Sequence, residues 1–357
     1  MKARIVIEAN YGDESKGTIV ARYAKQSENV LNVLTNSGSQ RGHFILTKDG
    51  NITFQHFGAG TYYGADNYYS CFFILNPMRF AKEDKSLIVK PNKIYRDKSC
   101  RWSTPYDMIF NAITEEIQNR KASCGMGIWN TIKRYIDVSG RDFDTFMNVS
   151  NEEKISYLYN VKIYYENRMS ILDKWKHIWN SINMISHFYE DCKYMYDNTI
   201  VCDLNNLNYE NIIFENGQGL LLSDTGKDTF DTTPSDTGIS YGLSLARQMG
   251  IKDSDIIAHY VTRPYLTRRD DGFICDGEKN IKNISSGLNE DRTNVWNEFQ
   301  GEFRYGGLDI DKLKQRIEIN RQNINYELEL THCNEMDRVS EFKNKFSIVN
   351  AYGTPSV

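Results

Sequence analysis

The chain has 357 residues, 43 basic and 47 acidic, for a net charge of −4, which argues against a nucleic-acid surface and for small-molecule partners. Seven scattered cysteines, an odd number without a Cys-x-x-Cys pair, and six histidines without ligand spacing argue against a disulfide framework or a zinc site. With no signal peptide and no long apolar run, the expectation is a soluble cytoplasmic protein with no membrane partner.

Strand-like runs at 4–9, 30–34, 71–75, 86–90, 199–203, 211–214, 256–262, 327–331 and 346–350 alternate with helical stretches. That alternation predicts an α/β fold, with a central, mostly parallel sheet covered by helices. Between about 103 and 198 the apolar spacing becomes helical, through Met108, Ile109, Ala112, Ile113 and Ile117 and then Ile171, Trp175, Ile178, Trp179, Ile182 and Ile185. This predicts a helical insertion whose tryptophans sit in the core. Six prolines and no Ser/Gly-rich linker leave no clean boundary, so residues 1–357 read as one domain carrying a helical subdomain at roughly 103–198.

Chemistry first shows itself in two strand-to-loop junctions. Ile5-Val6-Ile7 leads into Asn10-Tyr11-Gly12-Asp13-Glu14-Ser15-Lys16-Gly17-Thr18, and Val30 to Leu34 leads into Gly38-Ser39-Gln40-Arg41-Gly42-His43. A strand, a glycine-bearing turn with a lysine and then a helix outline an anion site made of backbone N–H groups. Lys16 precedes Gly17, so this is not the Gly-Lys-Ser/Thr order of the common P-loop, and a P-loop kinase is disfavoured. Asp13 inside such a turn would repel a polyphosphate unless a cation lay between them, which implies Mg²⁺ with few protein ligands. An ordinary strand-to-helix turn is the plain alternative.

Gly12 to Gly17 resembles the Gly-Asp-Glu-Gly-Lys-Gly signature of adenylosuccinate synthetases, and Gly38 to His43 resembles their second loop. Further similar segments are His56 to Gly60, Phe73 to Pro77, Ser123-Cys124-Gly125-Met126-Gly127-Ile128, Phe214-Glu215-Asn216-Gly217-Gln218-Gly219, Thr233 to Thr237 and Thr331-His332-Cys333-Asn334. The likeness spans most of the chain outside about 140–205.

The resemblance implies a ligase that phosphorylates a purine 6-oxygen from a nucleoside triphosphate and then lets the amine of aspartate displace phosphate. It assigns Asp13 as the base and a Mg²⁺ ligand, the Gly42 carbonyl as a second ligand, His43 as stabiliser and hydrogen-bond donor to the transferring group, and Lys16 as neutraliser of phosphoryl charge. Asn10, Ser15, Ser123, Cys124, Gln218 and Thr237 are the implied contacts of the purine nucleotide. Gly12, Glu14, Gly17, Thr18, Gly42 and Asn334 are those of the donor. Arg304, with Gln300 and Gly301, falls where the family grips aspartate, and Arg263, Arg268 or Arg269 could share that task. A homodimer is expected.

Three departures point to a bacteriophage branch of the family that joins aspartate to dGMP on the route to diaminopurine DNA. Ser15 replaces a glycine, Asn334 replaces the aspartate that would accept from guanine and so favours ATP or dATP over GTP, and the aspartate loop around Arg304 is rebuilt. IMP with GTP is the alternative substrate pair. A non-catalytic nucleotide-binding relative is the alternative of another class.

Overall fold

The computed structural model describes residues 1–48, 50–119, 123–138, 140–223, 232–269, 272–275, 277–279 and 303–353. Strand β1 (Lys2–Glu8) feeds helix α1 (Lys16–Lys25) and strand β2 (Val30–Leu34). A hairpin of β3 (His43–Thr47) and β4 (Gly50–Phe54) follows, then β5 (Asp66–Tyr69), β6 (Ile74–Leu75), α2 (Pro77–Ser86), β7 (Ile94–Arg96) and β8 (Arg101–Trp102). Six consecutive helices come next: α3 (Pro105–Gln118), α4 (Ile128–Asp137), α5 (Phe143–Asn148), α6 (Asn151–Glu166), α7 (Asp173–Trp179) and α8 (Ile182–Asp197). The chain returns through β9 (Ile200–Val201), β10 (Asn211–Gly219), α9 (Ser240–Gln248), β11 (Ile256–Thr262), β12 (Leu266–Arg268), β13 (Glu278–Lys279) and β14 (Arg304–Gly306). It ends with α10 (Ile310–Asn320), β15 (Asn325–Leu330), α11 (Val339–Lys343) and β16 (Val349–Ala351).

Nine strands form one sheet in the order β16-β15-β11-β1-β10-β2-β5-β7-β9, and every pairing in it is parallel. Ile5, Val6 and Ile7 are fully buried, as expected of a central parallel strand covered on both faces. A separate three-stranded antiparallel sheet, β12-β14-β13, carries Arg268 opposite Arg304.

The six-helix run is set by local signals. Thr104 and Asp107 form a capping box at α3, and Ser150 and Glu153 form another at α6, each worth about 1 kcal/mol. Asp107 also accepts from Arg134 Nε at 2.8 Å and from the Tyr165 hydroxyl at 2.5 Å, tying α3 to α4 and α6. Both charges are buried, so removing either partner alone would cost about 3–5 kcal/mol.

Several sequence expectations need correction. Residues 86–90 form no strand: α2 runs through Ser86, and Ile88 is exposed. The 71–75 run shortens to β6, and the 346–350 run shifts to β16. The β3–β4 hairpin, β5 and β7 fall outside the strand-like runs of the sequence. Strand β5 reads as polar because Asn67 faces inward, where its Oδ1 accepts from the Gly58 N–H at 2.8 Å and its Nδ2 donates to Thr61 at 2.7 Å. Trp179 is buried as expected, but Trp175 is only partly covered and Trp129 is 42% exposed, because helices this amphipathic leave a wet face.

Candidate active site

The parallel order brings the carboxyl ends of β1, β2, β10, β11 and β15 to one edge of the sheet, the usual position of ligand crevices in open α/β folds. The turn after β1 is tightly wound, with φ of 111° at Gly12, 58° at Asp13 and 75° at Ser15. Glycine alone takes the first of these without strain, and each of the other two costs about 1–2 kcal/mol. Contacts from three directions hold them. Arg263 Nε donates to the Asp13 carbonyl at 2.9 Å, Thr331 Oγ1 to that of Glu14 at 3.0 Å and Thr267 Oγ1 to that of Gly12 at 3.4 Å. Ser15 caps α1 through its backbone and makes no side-chain capping bond.

Glu8 reaches into this turn because the β1–β10 register slips after Val6 and pairs Glu8 with Gly219. Its Oε1 accepts the Glu14 N–H at 2.8 Å, and its Oε2 accepts from Lys16 Nζ at 3.1 Å. Lys16 is 1% exposed and also lies 3.4 Å from the Gln218 carbonyl, so it belongs to no surface ion pair. Burial works to raise the Glu8 carboxyl, but Lys16 and His43 hold it below the ordinary range. Glu14 accepts from both the N–H and the Nδ2 of Asn10, yet burial and the neighbouring Glu8 push it up to about 8. From α10, Arg316 donates Nε to the Ala9 carbonyl at 2.9 Å and Nη2 to Asn10 Oδ1 at 2.5 Å.

His43 opens β3 with its Nδ1 hydrogen-bonded to Glu215 of β10. Arg41 Nη2 donates to the same Glu215 Oε1 at 3.1 Å, and the Ala59 N–H donates to Oε2 at 3.1 Å. Burial opposes the Glu215 charge, but Arg41 and His43 hold that carboxyl at about 2, so it stays ionised and accepts a hydrogen bond from Nδ1–H of a neutral imidazole. Burial, reinforced by Arg41 and Lys16, keeps His43 down at about 4. The resting histidine therefore offers Nε2 as an acceptor, unlike the donor expected from its ordinary pKa. Gly17 lets α1 start against this strand, since a Cβ there would lie 2.9 Å from the Phe44 carbonyl oxygen; Thr18 Oγ1 is 3.5 Å from the same oxygen.

Gln218 (φ 65°) meets the first turn through Lys16, and Thr237 spends its hydroxyl on the Gly219 carbonyl at 2.9 Å. Ser123 Oγ accepts from Asn111 Nδ2 at 2.8 Å and from the Gly125 N–H at 3.1 Å. Cys124 Sγ lies 3.8 Å from the Gln40 carbonyl on the second loop, and burial pushes its thiol up to about 12. Asn334 is exposed, in a turn tied to the chain end by Cys333 N–H to Tyr352 O at 2.9 Å and to the first turn by Thr331. Arg304 donates to the Gly272 carbonyl, Arg268 is buried over the Tyr11 ring at 4.7 Å, and Arg269 Nε lies 3.3 Å from Asp13 Oδ2. Gln300 and Gly301 lie outside the described residues. The structure thus brings Asn10, Gly12, Asp13, Glu14, Ser15, Lys16, Gly17, Thr18, His43 and Gln218 into one neighbourhood. It reaches Ser123 and Cys124 through the second loop and Asn334 through Thr331.

Sequence reasoning missed Glu8, Arg41, Glu215 and Arg316. For both glutamates the signal was a lone acid at the end of an apolar strand run. For a cation, Asp13 is partly exposed and Gly42 is exposed, with nothing within 4 Å of a Cβ, so both offer oxygen donors at a wet edge, a set that suits Mg²⁺. A second group with ligand atoms within 4.8 Å of one another, His259, Glu327 and Glu329, shares no residue with these loops. There Tyr23, Asn350 and Tyr352 hydrogen-bond the cluster. Among the described residues, no helix is long and apolar enough to cross a membrane.

Comparison with solved structures finds a fully ligated adenylosuccinate synthetase from Plasmodium falciparum at TM-score 0.75 and 18% identity, covering 95% of this chain and 78% of that one. It also finds the succinoaminodeoxyadenylate synthetase of cyanophage S-2L, bound to dGMP and to dATP as energy donor, at TM-score 0.67 and 12% identity, covering 98% of this chain and 91% of that one. No curated protein sequence matches. The adenylosuccinate synthetase family model matches residues 5–352, nearly the whole chain. The chain belongs to the adenylosuccinate synthetase family of carbon–nitrogen ligases.

Proposed function

We propose that this ligase joins the amino group of L-aspartate to carbon 6 of dGMP at the expense of ATP or dATP. The observation that carries the reading is the junction where Lys16 reaches the Gln218 carbonyl and α1 abuts His43, with Asp13 on the same turn. Asp13 takes the proton from ring nitrogen 1, and the resulting 6-oxyanion attacks the γ-phosphorus of the donor, releasing the nucleoside diphosphate. The amine of aspartate then attacks carbon 6, the carbon–oxygen bond breaks, and phosphate leaves. Lys16 offsets charge on the equatorial phosphoryl oxygens. His43, aligned by Glu215, faces the transferring group with Nε2. The negative charge of the donor raises the pKa of this imidazole and favours its charged, donating form.

Asp13 and the Gly42 carbonyl are the residues that would hold Mg²⁺. When bound, the ion screens the phosphates from the Asp13 carboxylate. Arg304, with Arg269 beside Asp13, is suited to the carboxylates of aspartate. The choice of dGMP rests on Ser15, Asn334 and the rebuilt Arg304 loop. The test is release of nucleoside diphosphate with aspartate and each of dGMP, GMP and IMP, using ATP, dATP and GTP in turn. Fastest release with dGMP and an adenine donor is expected. Preference for IMP with GTP would overturn the substrate assignment, and release indifferent to aspartate would overturn the ligase.

A further inference from the structure

We infer that Glu8 is an internal occupant of the phosphate cradle, a tethered carboxylate that a donor's phosphate must displace before the cradle is free to bind it. The inference rests on the reading of the first turn as the donor's phosphate site and concerns how that site is gated. A phosphate at a strand-to-helix turn is held by backbone N–H groups and a lysine ammonium. Glu8 takes one of each: its Oε1 accepts the single proton of the Glu14 N–H at 2.8 Å, and its Oε2 accepts from Lys16 at 3.1 Å.

A second lysine proton points at the Gln218 carbonyl at 3.4 Å, so Lys16 is largely committed before any ligand arrives. Glu8 and Lys16 are 5% and 1% exposed, which shields the pair from water and salt. The side chain reaches the turn because the β1–β10 register slips at this residue and pairs it with Gly219. The carboxylate is thus aimed by the backbone and does not arrive by a chance rotamer. A compact anion that gains only these two contacts competes poorly against a tethered carboxylate. A triphosphate, with further contacts along its length, does better. The device would favour the donor over the free phosphate that the reaction releases.

The experiment uses the full chain and pyrophosphate as the probe, with binding read by calorimetry at pH 7.5 in the absence of nucleotide and aspartate. Glu8→Ala, which empties the cradle, and Glu8→Gln, which keeps one acceptor without the charge, should each bind pyrophosphate at least tenfold more tightly than the wild type. Equal or weaker binding by a folded variant would overturn the proposal, as would no binding by any of the three proteins. Should neither variant fold, a crystal structure of the wild type with pyrophosphate decides: Glu8 turned away from Lys16 supports the inference, and pyrophosphate seated beside an unmoved Glu8 overturns it. Because binding is read without turnover, loss of the ligase reading in the product assay leaves this result standing. An active ligase with unchanged pyrophosphate binding would sink this inference alone.

Discussion

Around Lys16 and His43 the charges are buried and matched, Glu8 against Lys16 and Glu215 against Arg41 and His43, on turns held from several strands at once. Asn334 and Arg304 stand differently. Asn334 is exposed in a turn at the sheet edge, and Arg304 is half-buried on a small antiparallel sheet. The contrast teaches that the charges at the proposed phosphoryl-transfer end are matched within the fold, with Glu8 the partner that has to yield to phosphate, whereas Asn334 and Arg304, proposed for the base and the amino acid, sit on more open surface. Substitutions at the first end should therefore reduce turnover or stability, and those at the second should alter affinity and choice.

The largest effects fall at the first end, at its partly exposed Asp13 and its buried His43. Asp13→Ala and His43→Ala should each lower turnover by at least ~10²-fold while nucleotide affinity stays within about tenfold. A variant keeping more than about a tenth of wild-type turnover would break the comparison at that residue. Glu215 offers a stability readout on the same end. Its folded pKa of about 2 lies below its ordinary value of 4.5, so its contribution is fully present above about pH 4.5 and is lost as pH falls toward 2. Thermal melts of wild type and Glu215→Gln should differ most near neutral pH and converge in acid. A gap that does not narrow below pH 4.5 would mean that Glu215 is not the matched charge described.

Smaller effects are expected at the open end. Arg304→Ala should raise the KM for aspartate by about 10-fold or more with kcat within about threefold, since a charge-assisted hydrogen bond is worth roughly 1.5–3 kcal/mol. A fall in kcat with KM unchanged would move Arg304 to the transferring group. Asn334→Asp should shift the ATP-to-GTP ratio toward GTP by about fivefold or more, because the second acceptor suits guanine. An unchanged ratio of kcat/KM values would remove Asn334 from base recognition.

The same contrast explains what could be read from the chain alone. The first turn was legible because its residues are contiguous, and the parallel sheet because Ile5 to Ile7 and Val30 to Leu34 are buried on both faces and carry the apolar runs such burial demands. Glu215 escaped notice because Arg41, His43 and Ala59 reach it from other loops, and Glu8 because only the register slip after Val6 turns its carboxylate into the turn that follows, which residue order does not show. Strand β5 escaped because Asn67 serves the Gly58 backbone from inside the sheet. The neutral resting state of His43 depends on Arg41 and Lys16 being packed beside it, which residue order does not reveal.

The central claim is that the buried end moves a phosphoryl group onto the purine 6-oxygen before nitrogen arrives. The most direct measurement uses dGMP labelled with ¹⁸O at that oxygen, together with aspartate and ATP, and follows the label by mass spectrometry. The account predicts that the label appears in the released inorganic phosphate, in step with the succinylated product. Label retained on the nucleotide, or phosphate carrying oxygen from water alone, would contradict it.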